Sequence, residues 1–219
     1  MGDAGYRLVI GNKKTSSWSL RPWLVLKQAG IAFEEVRINL RAPDKKDQIR
    51  AHSPAGKVPV LWAGDLMIWD SLAIVEYIAE QHPEKALWPS NVDARAVARA
   101  SSAEMHSGFQ ALREHCPMNF PAREPKTDLI EPVQTNIRRI VDLWGDCRRR
   151  FGGEGPFLFS SFTIADAMYA PVASRLKTYI PDLGAFGDDG TAQRYVDALF
   201  ALPALAEWER GAQEETLGF

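Results

Sequence analysis

Three short stretches carry the side chains that can do chemistry. The first is Thr15-Ser16-Ser17-Trp18-Ser19-Leu20-Arg21-Pro22-Trp23, which follows the apolar run Leu8-Val9-Ile10 and leads into a helix-period run through Leu20, Leu24, Val25 and Leu26. Serine and threonine at a strand-to-helix junction are good N-caps. A helix start also presents unpaired N–H groups and about half a unit of positive charge, so an anion belongs there. We expect that anion to be the thiolate of a bound thiol cofactor. A free thiol near pKa ~8.5 must fall by roughly two units to ionise at neutral pH, which takes about 3 kcal/mol. A hydrogen bond to a charged partner supplies about 1.5–3 kcal/mol, and the helix terminus about 0.3–1 kcal/mol, up to ~2 when partly buried. One serine plus the helix end is enough, without a general base.

The second stretch is Ser53-Pro54-Ala55-Gly56-Lys57-Val58-Pro59-Val60-Leu61-Trp62. A proline opening an inner strand is out of place, and a cis Val58-Pro59 bond is one solution. The Val58 main chain is then offered to a ligand that pairs like an added strand. The third stretch is Asp70-Ser71, a hydroxyl and a carboxylate at another helix start, suited to a ligand end carrying both a carboxylate and an ammonium. Each pair alone fits a plain helix cap. The three together, in this order, favour a ligand site.

The elements that must position these residues follow from hydropathy pattern. Tyr6 to Ile10 reads as a strand, and the helix after it ends near Ala29-Gly30, with Gly30 at C′. Pro22 is tolerated only in a first turn, which points to Ser19 as the cap or to a distorted turn opened by Ser17. Phe33 to Leu40 alternates as a second strand, and the charged segment 41–50 holds at most one short helix. A strand ending at Trp62, a turn at Ala63-Gly64-Asp65, a strand Leu66–Trp69 and a helix from Asp70-Ser71 to about His82-Pro83 complete a β-α-β, loop, β-β-α order. His82 to Asn91, with two prolines, is the linker. Beyond Asp93 the pattern is helical. One helix carries Met105, His106, Phe109, Gln110 and Arg113, and a long one runs from Leu129 to Phe151. Thr163-Ile164-Ala165-Asp166 is a capping box with Phe162 at the staple position. Pro171 should kink the helix it opens. Helices at 191–202 and 203–213 follow.

Taken together these motifs resemble the cytosolic glutathione transferases: Ser-Ser before the first helix, Val-Pro before the third strand and an acid-Ser pair before the next helix, followed by an all-helical half. Ser16-Ser17-Trp18-Ser19-Leu20-Arg21 is most similar to the zeta-class opening Ser-Ser-Cys-Ser-Trp-Arg, and Glu104 to Arg113 resembles a bacterial branch of the superfamily. The resemblance spans the whole chain. It implies an α/β thioredoxin-like N-terminal domain (1–83), a linker (84–92) and an all-α helical-bundle C-terminal domain (93–219). It implies glutathione as co-substrate, with Ser16 or Ser17 on the sulfur and Val58, before Pro59, on the cysteinyl backbone. Asp70 and Ser71 would hold the γ-glutamyl end, with Lys57 at the glycyl carboxylate or peptide backbone. Trp18 would line the pocket and Gln110 would stand near the ligand. It also implies a homodimer. Trp18 replaces the zeta cysteine, which weighs against zeta-type isomerase chemistry, and Asp70 replaces the usual Glu or Gln.

Hydrophobic residues make up 46% of 219 and charged residues 25%, an ordinary globular balance large enough for one or two cores. A net charge of −2 gives no reason to expect nucleic acid as a partner. Cys116 and Cys147 lie near no CxxC or His cluster, so neither a metal site nor a dithiol motif is expected. No signal-peptide core and no bilayer-length apolar run is present, which gives the expectation of a cytoplasmic protein without membrane contact. The expected reaction is attack of the glutathione thiolate on a small hydrophobic electrophile. The alternatives are a glutathione-dependent isomerase of the maleylacetoacetate type, a glutathione peroxidase, or a non-catalytic binding module.

Overall fold

The computed structural model describes residues 5–218. Among them the elements run β1 (Tyr6–Ile10), α1 (Ser17–Ala29), β2 (Phe33–Arg37), α2 (Lys45–His52), β3 (Val60–Ala63), β4 (Leu66–Trp69), α3 (Ser71–Gln81), α4 (Val92–Ser107), α5 (Gln110–His115), α6 (Glu131–Phe151), α7 (Ile164–Tyr179), α8 (Thr191–Phe200) and α9 (Pro203–Gly218), with short 3-10 turns at Pro83–Lys85 and Gly184–Phe186. The sheet has the order β2-β1-β3-β4. β1 runs parallel to β2 and antiparallel to β3, and β3 pairs antiparallel with β4. This is a thioredoxin-like arrangement followed by an all-helical half.

Strand alternation sends successive side chains of β1 into two cores. Leu8, Ile10 and Leu61 join the large core with Leu20, Leu24, Ile74, Val75 and Ile78, which continues into the helical half. Val9 and Val60 face the other way and meet Ile38 and Ile49 in a small core. α1 packs on α3, α7 and α9, so its first turn lies where the sheet half and the helical half meet.

Several sequence expectations need adjustment. Of the two starts left open for α1, the helix takes Ser17, with Ser16 as N-cap. Ser19 Oγ instead accepts the Gly11 N–H at 3.0 Å. Pro22 therefore stands in the second turn, and the Trp18 carbonyl gives up its intrahelical donor. β2 stops at Arg37: Ile38 N–H still bonds the Ile10 carbonyl, but Leu40 N–H turns to Asn12 Oδ1. The helix expected across 105–113 is two helices, because α4 ends at Ser107 and Phe109 adopts a left-handed φ of 58°. Arg113 reaches back to the carbonyls of Met105, His106 and Gly108 and so closes the end of α4. The Gly30 cap, the cis Val58-Pro59 bond and the Thr163–Asp166 capping box are present as read.

Candidate active site

The loop from β1 to α1 is short and fully tied. Gly11 is needed for its close approach, since a Cβ there would lie 2.5 Å from Leu40 Cδ1. Ser16 N–H bonds the Asn12 carbonyl at 2.8 Å, and Ser16 then takes the N-cap position. Its hydroxyl makes no capping bond; it donates to Ser19 Oγ at 2.8 Å. The first turn of α1 contains no acidic residue, so nothing on the helix neutralises its positive end.

Ser16 lines a cleft of about 770 Å³ together with Trp18, Lys57, Val58, Pro59, Asp70 and Ser71. Two helix starts thus converge on one cleft, with the Val58-Pro59 segment beside them. Ser17 does not line it. Its hydroxyl is buried and accepts a hydrogen bond from Arg175 Nη2 of α7 at 3.4 Å. Gln110 also lies away from the cleft, exposed and donating to Glu114 at 2.6 Å.

Asp70 sits at a positive φ of 73°, a strained position for a residue with a Cβ, of the kind that clusters at ligand sites. One carboxylate oxygen accepts the Leu72 N–H at 2.8 Å and caps α3. The other meets His106 Nε2 at 3.1 Å. His106, from α4, is the helical half's contribution to the cleft lining. Its Nδ1 is buried without a partner, and its ring meets Trp18 edge-on at 5.2 Å. The sequence placed His106 on a helix able to face the cap serines but did not pair it with Asp70, because that contact is made by a helix far along the chain. Thr15, the first residue of the opening stretch, also lines the cleft, as does Trp69, which the sequence reading left in its strand although it adjoins Asp70.

Burial lowers the His106 pKa below 6.5, against the pull of Asp70 and with the help of Arg21 and Arg113. The unfolded chain therefore takes up this proton more readily than the folded one. The stability that neutral His106 confers is present above pH ~6.5 and is lost as the pH falls through the lower folded value. Lowering the pH from about 7.5 to 5 is expected to depress the thermal midpoint of the wild type more than that of His106→Gln, as followed by circular dichroism.

Behind Trp18 lies a cluster of guanidinium groups. Arg21 and Arg113 stack on Trp18 at 4.2 and 4.7 Å from the ring centroid. Arg21 is 1% exposed and Arg175 6%, and the Nε atom of each has no hydrogen-bond partner. Burial, followed by mutual repulsion with Arg113 and Arg175, lowers Arg21 to about 9. Burial and Arg113 lower Arg175 to about 10. No carboxylate forms an ion pair with any of the three among the described residues.

The glutathione S-transferase N-terminal domain family matches residues 15–81, and the glutathione S-transferase C-terminal domain family matches residues 122–211. Glutathione S-transferase Z2 of Arabidopsis thaliana is 35% identical over 161 residues, covering 71% of this chain and 72% of that protein. The chain belongs to the glutathione S-transferase family. A probable maleylacetoacetate isomerase of Caenorhabditis elegans is a further relative of this family member, 36% identical over 100 residues. That alignment covers 46% of each chain, so this glutathione S-transferase family member spans about half the length of several curated relatives that it matches. Among solved structures, a glutathione transferase homolog from Burkholderia, crystallised with bound glutathione, has a TM-score of 0.71 at 23% identity and covers 96% of this chain and 99% of its own. Poplar glutathione transferase F1 has a TM-score of 0.70 at 16% identity, covering 96% and 99%. At such identities the likeness establishes the fold. No helix among the described residues is long and apolar enough to cross a membrane, and no group of three or more His, Cys, Asp or Glu among them is placed to hold a metal ion.

Proposed function

We propose that this protein is a glutathione transferase in which Ser16 holds the sulfur of glutathione. The observation that carries the reading is the single cleft onto which Ser16, Val58 and the Asp70–Ser71 pair all open. The donor set fits the tripeptide. A hydroxyl at a helix start suits a thiolate, and a carboxylate beside a buried serine at a second helix start suits an end bearing ammonium and carboxylate together. Bound glutathione supplies the nucleophilic sulfur. The chain's own part is to hold that sulfur ionised. Ser16 turns its proton from Ser19 toward the sulfur, and Ser19, already accepting from Gly11 N–H, donates to Ser16 Oγ in exchange. Val58 offers its main chain to the cysteinyl residue, ahead of Pro59. Lys57, exposed on the rim, faces the glycyl carboxylate. Trp18 forms the wall toward the electrophile.

The finer reading is a cytoplasmic homodimer that acts in detoxification of small hydrophobic electrophiles, with domains at 1–83 and 93–219. The exposed side chains of Leu66, Trp69 and Val92 support a second copy as partner. Retention on immobilised glutathione, together with turnover of a general aryl halide electrophile, tests the assignment. Retention with no turnover on any electrophile would leave a binding module.

A second reading has one specific observation in its favour. The buried Arg21 and Arg175 and the half-buried Arg113 form a cationic cluster that a dicarboxylate would neutralise. This is the arrangement an isomerase of maleyl-type diacids would need, acting without net consumption of glutathione. An unsaturated four-carbon dicarboxylate is expected to raise the thermal midpoint by several degrees through binding linkage, and Arg113→Gln to remove most of that rise. If monocarboxylates stabilise equally well, the cluster does not read a diacid.

A further inference from the structure

The four main-chain polar groups of Lys13 and Lys14 all end on the helical half. Lys13 N–H donates to Glu215 Oε1 at 2.6 Å and Lys14 N–H to Glu215 Oε2 at 3.1 Å. The Lys13 carbonyl accepts from Trp208 Nε1 at 2.8 Å, and the Lys14 carbonyl accepts from Phe120 N–H at 2.9 Å. Three of these four bonds come from α9. Glu215 and Trp208 are both buried. A buried carboxylate is costly unless its oxygens are satisfied, and here it bridges two consecutive backbone donors. It leaves the neighbouring ammonium alone: Lys13 Nζ pairs with Glu35 at 2.9 Å, passing over the faces of Trp23 and Trp208. Gly211 makes room for that passage, since a Cβ there would lie 2.6 Å from Lys13 Cδ.

Lys13 and Lys14 lie inside the turn that delivers Ser16. Thr15 N–H and Ser16 N–H both return to the Asn12 carbonyl, so residues 12–16 form one closed unit, gripped at its middle by α9. We propose that Glu215 and Trp208 are positioning residues for the Ser16 hydroxyl: the last helix, of whose described side chains none lines the cleft, sets where the sulfur-binding serine stands. This rests on Ser16 being the sulfur ligand. The reason is geometric. A charge-assisted hydrogen bond weakens quickly with misplacement of its donor, and a turn released at residues 13 and 14 carries Ser16 with it.

The experiment uses full-length Glu215→Ala, Glu215→Gln and Trp208→Phe. Amide hydrogen exchange of residues 11–16 is measured in the free protein, and the thiolate absorbance of bound glutathione is titrated against pH. Glu215→Ala is expected to speed exchange at 11–16 by about tenfold or more while β3 and α3 keep wild-type rates. It is also expected to raise the pH midpoint of the bound thiol by about half a unit or more. Glu215→Gln, which keeps one carbonyl acceptor, falls between, and Trp208→Phe moves both readouts in the same direction. Should Glu215→Ala fail to fold, the Gln and Phe variants decide. Wild-type exchange and a wild-type midpoint in the folded variants overturn the proposal and leave Glu215 a mere anchor for α9. If the wild type itself shows no lowered thiol midpoint, the Ser16 reading fails, and with it the proposal, even where exchange proves the grip.

Discussion

Ser16→Ala is expected to lower kcat/KM for a general electrophile by about 10- to 100-fold and to raise the pKa of the bound thiol by about one to two units. Both figures follow from losing a hydrogen bond to a charged sulfur, about 1.5–3 kcal/mol. The helix terminus remains, so activity should not vanish. Ser17→Ala is expected to stay within about threefold of wild type, because its hydroxyl faces Arg175 and not the cleft. A pH–rate profile for the two variants and the wild type measures the difference. If Ser17→Ala carries the larger loss, the sulfur sits on the other side of the helix start, next to the arginine cluster. A pair of near-neutral substitutions would remove both serines from the chemistry.

The second large effect is on stability. The Asp166 side chain is fully buried at the start of α7 and accepts the Leu158 N–H at 3.1 Å, the Thr163 N–H at 2.7 Å and the Thr163 hydroxyl at 3.0 Å. Asp166→Ala strands two backbone donors and a hydroxyl in the core, each at about 1–3 kcal/mol. A loss of about 3–5 kcal/mol, or a thermal midpoint lower by about 10 °C, is expected for a chain of this length. Burial raises the Asp166 pKa to about 6 despite these hydrogen bonds. The folded state therefore holds this proton more tightly than the unfolded state, where the ordinary value is 3.8. Its contribution to stability is largest below pH ~4 and declines as the pH rises through about 6, by up to about 3 kcal/mol. The stability gap between the wild type and Asp166→Asn should narrow over that interval in urea titrations. A constant gap would mean that the buried carboxyl does not titrate there.

Much of this arrangement was legible in the order of residues because it is local. The apolar run Leu8-Val9-Ile10, the glycine after Ala29, the Thr163–Asp166 spacing and the proline after Val58 each act within a few residues. Local rules for strands, caps and turns therefore reach them. The proline rule left two starts for α1, Ser19 or Ser17, and the Gly11 N–H, which claims Ser19 from across the turn, decides for Ser17. The break between α4 and α5 was missed because Arg113, whose guanidinium closes α4, looks like any other helical arginine until its distant carbonyl partners are known. His106 was legible as a residue of a helix that could face the serines, but its partner was not. Its meeting with Asp70 exists only once the helical half has packed against the sheet half. The choice between Ser16 and Ser17 depended on rotation about a helix axis, which no spacing between neighbours encodes.

The two walls of the cleft are built to different stiffness. On one side α1 and α3 are rooted in the large core through many buried side chains. On the other, α2 has a single buried side chain, Ile49, seated on the small core of Val9, Ile38 and Val60. An element so thinly anchored detaches locally at a small fraction of the global unfolding free energy. The cleft is a vice whose two jaws are anchored to different depths: the hydroxyl and carboxylate sit on the jaw rooted in the large core, and the opposite jaw is held by one buried side chain.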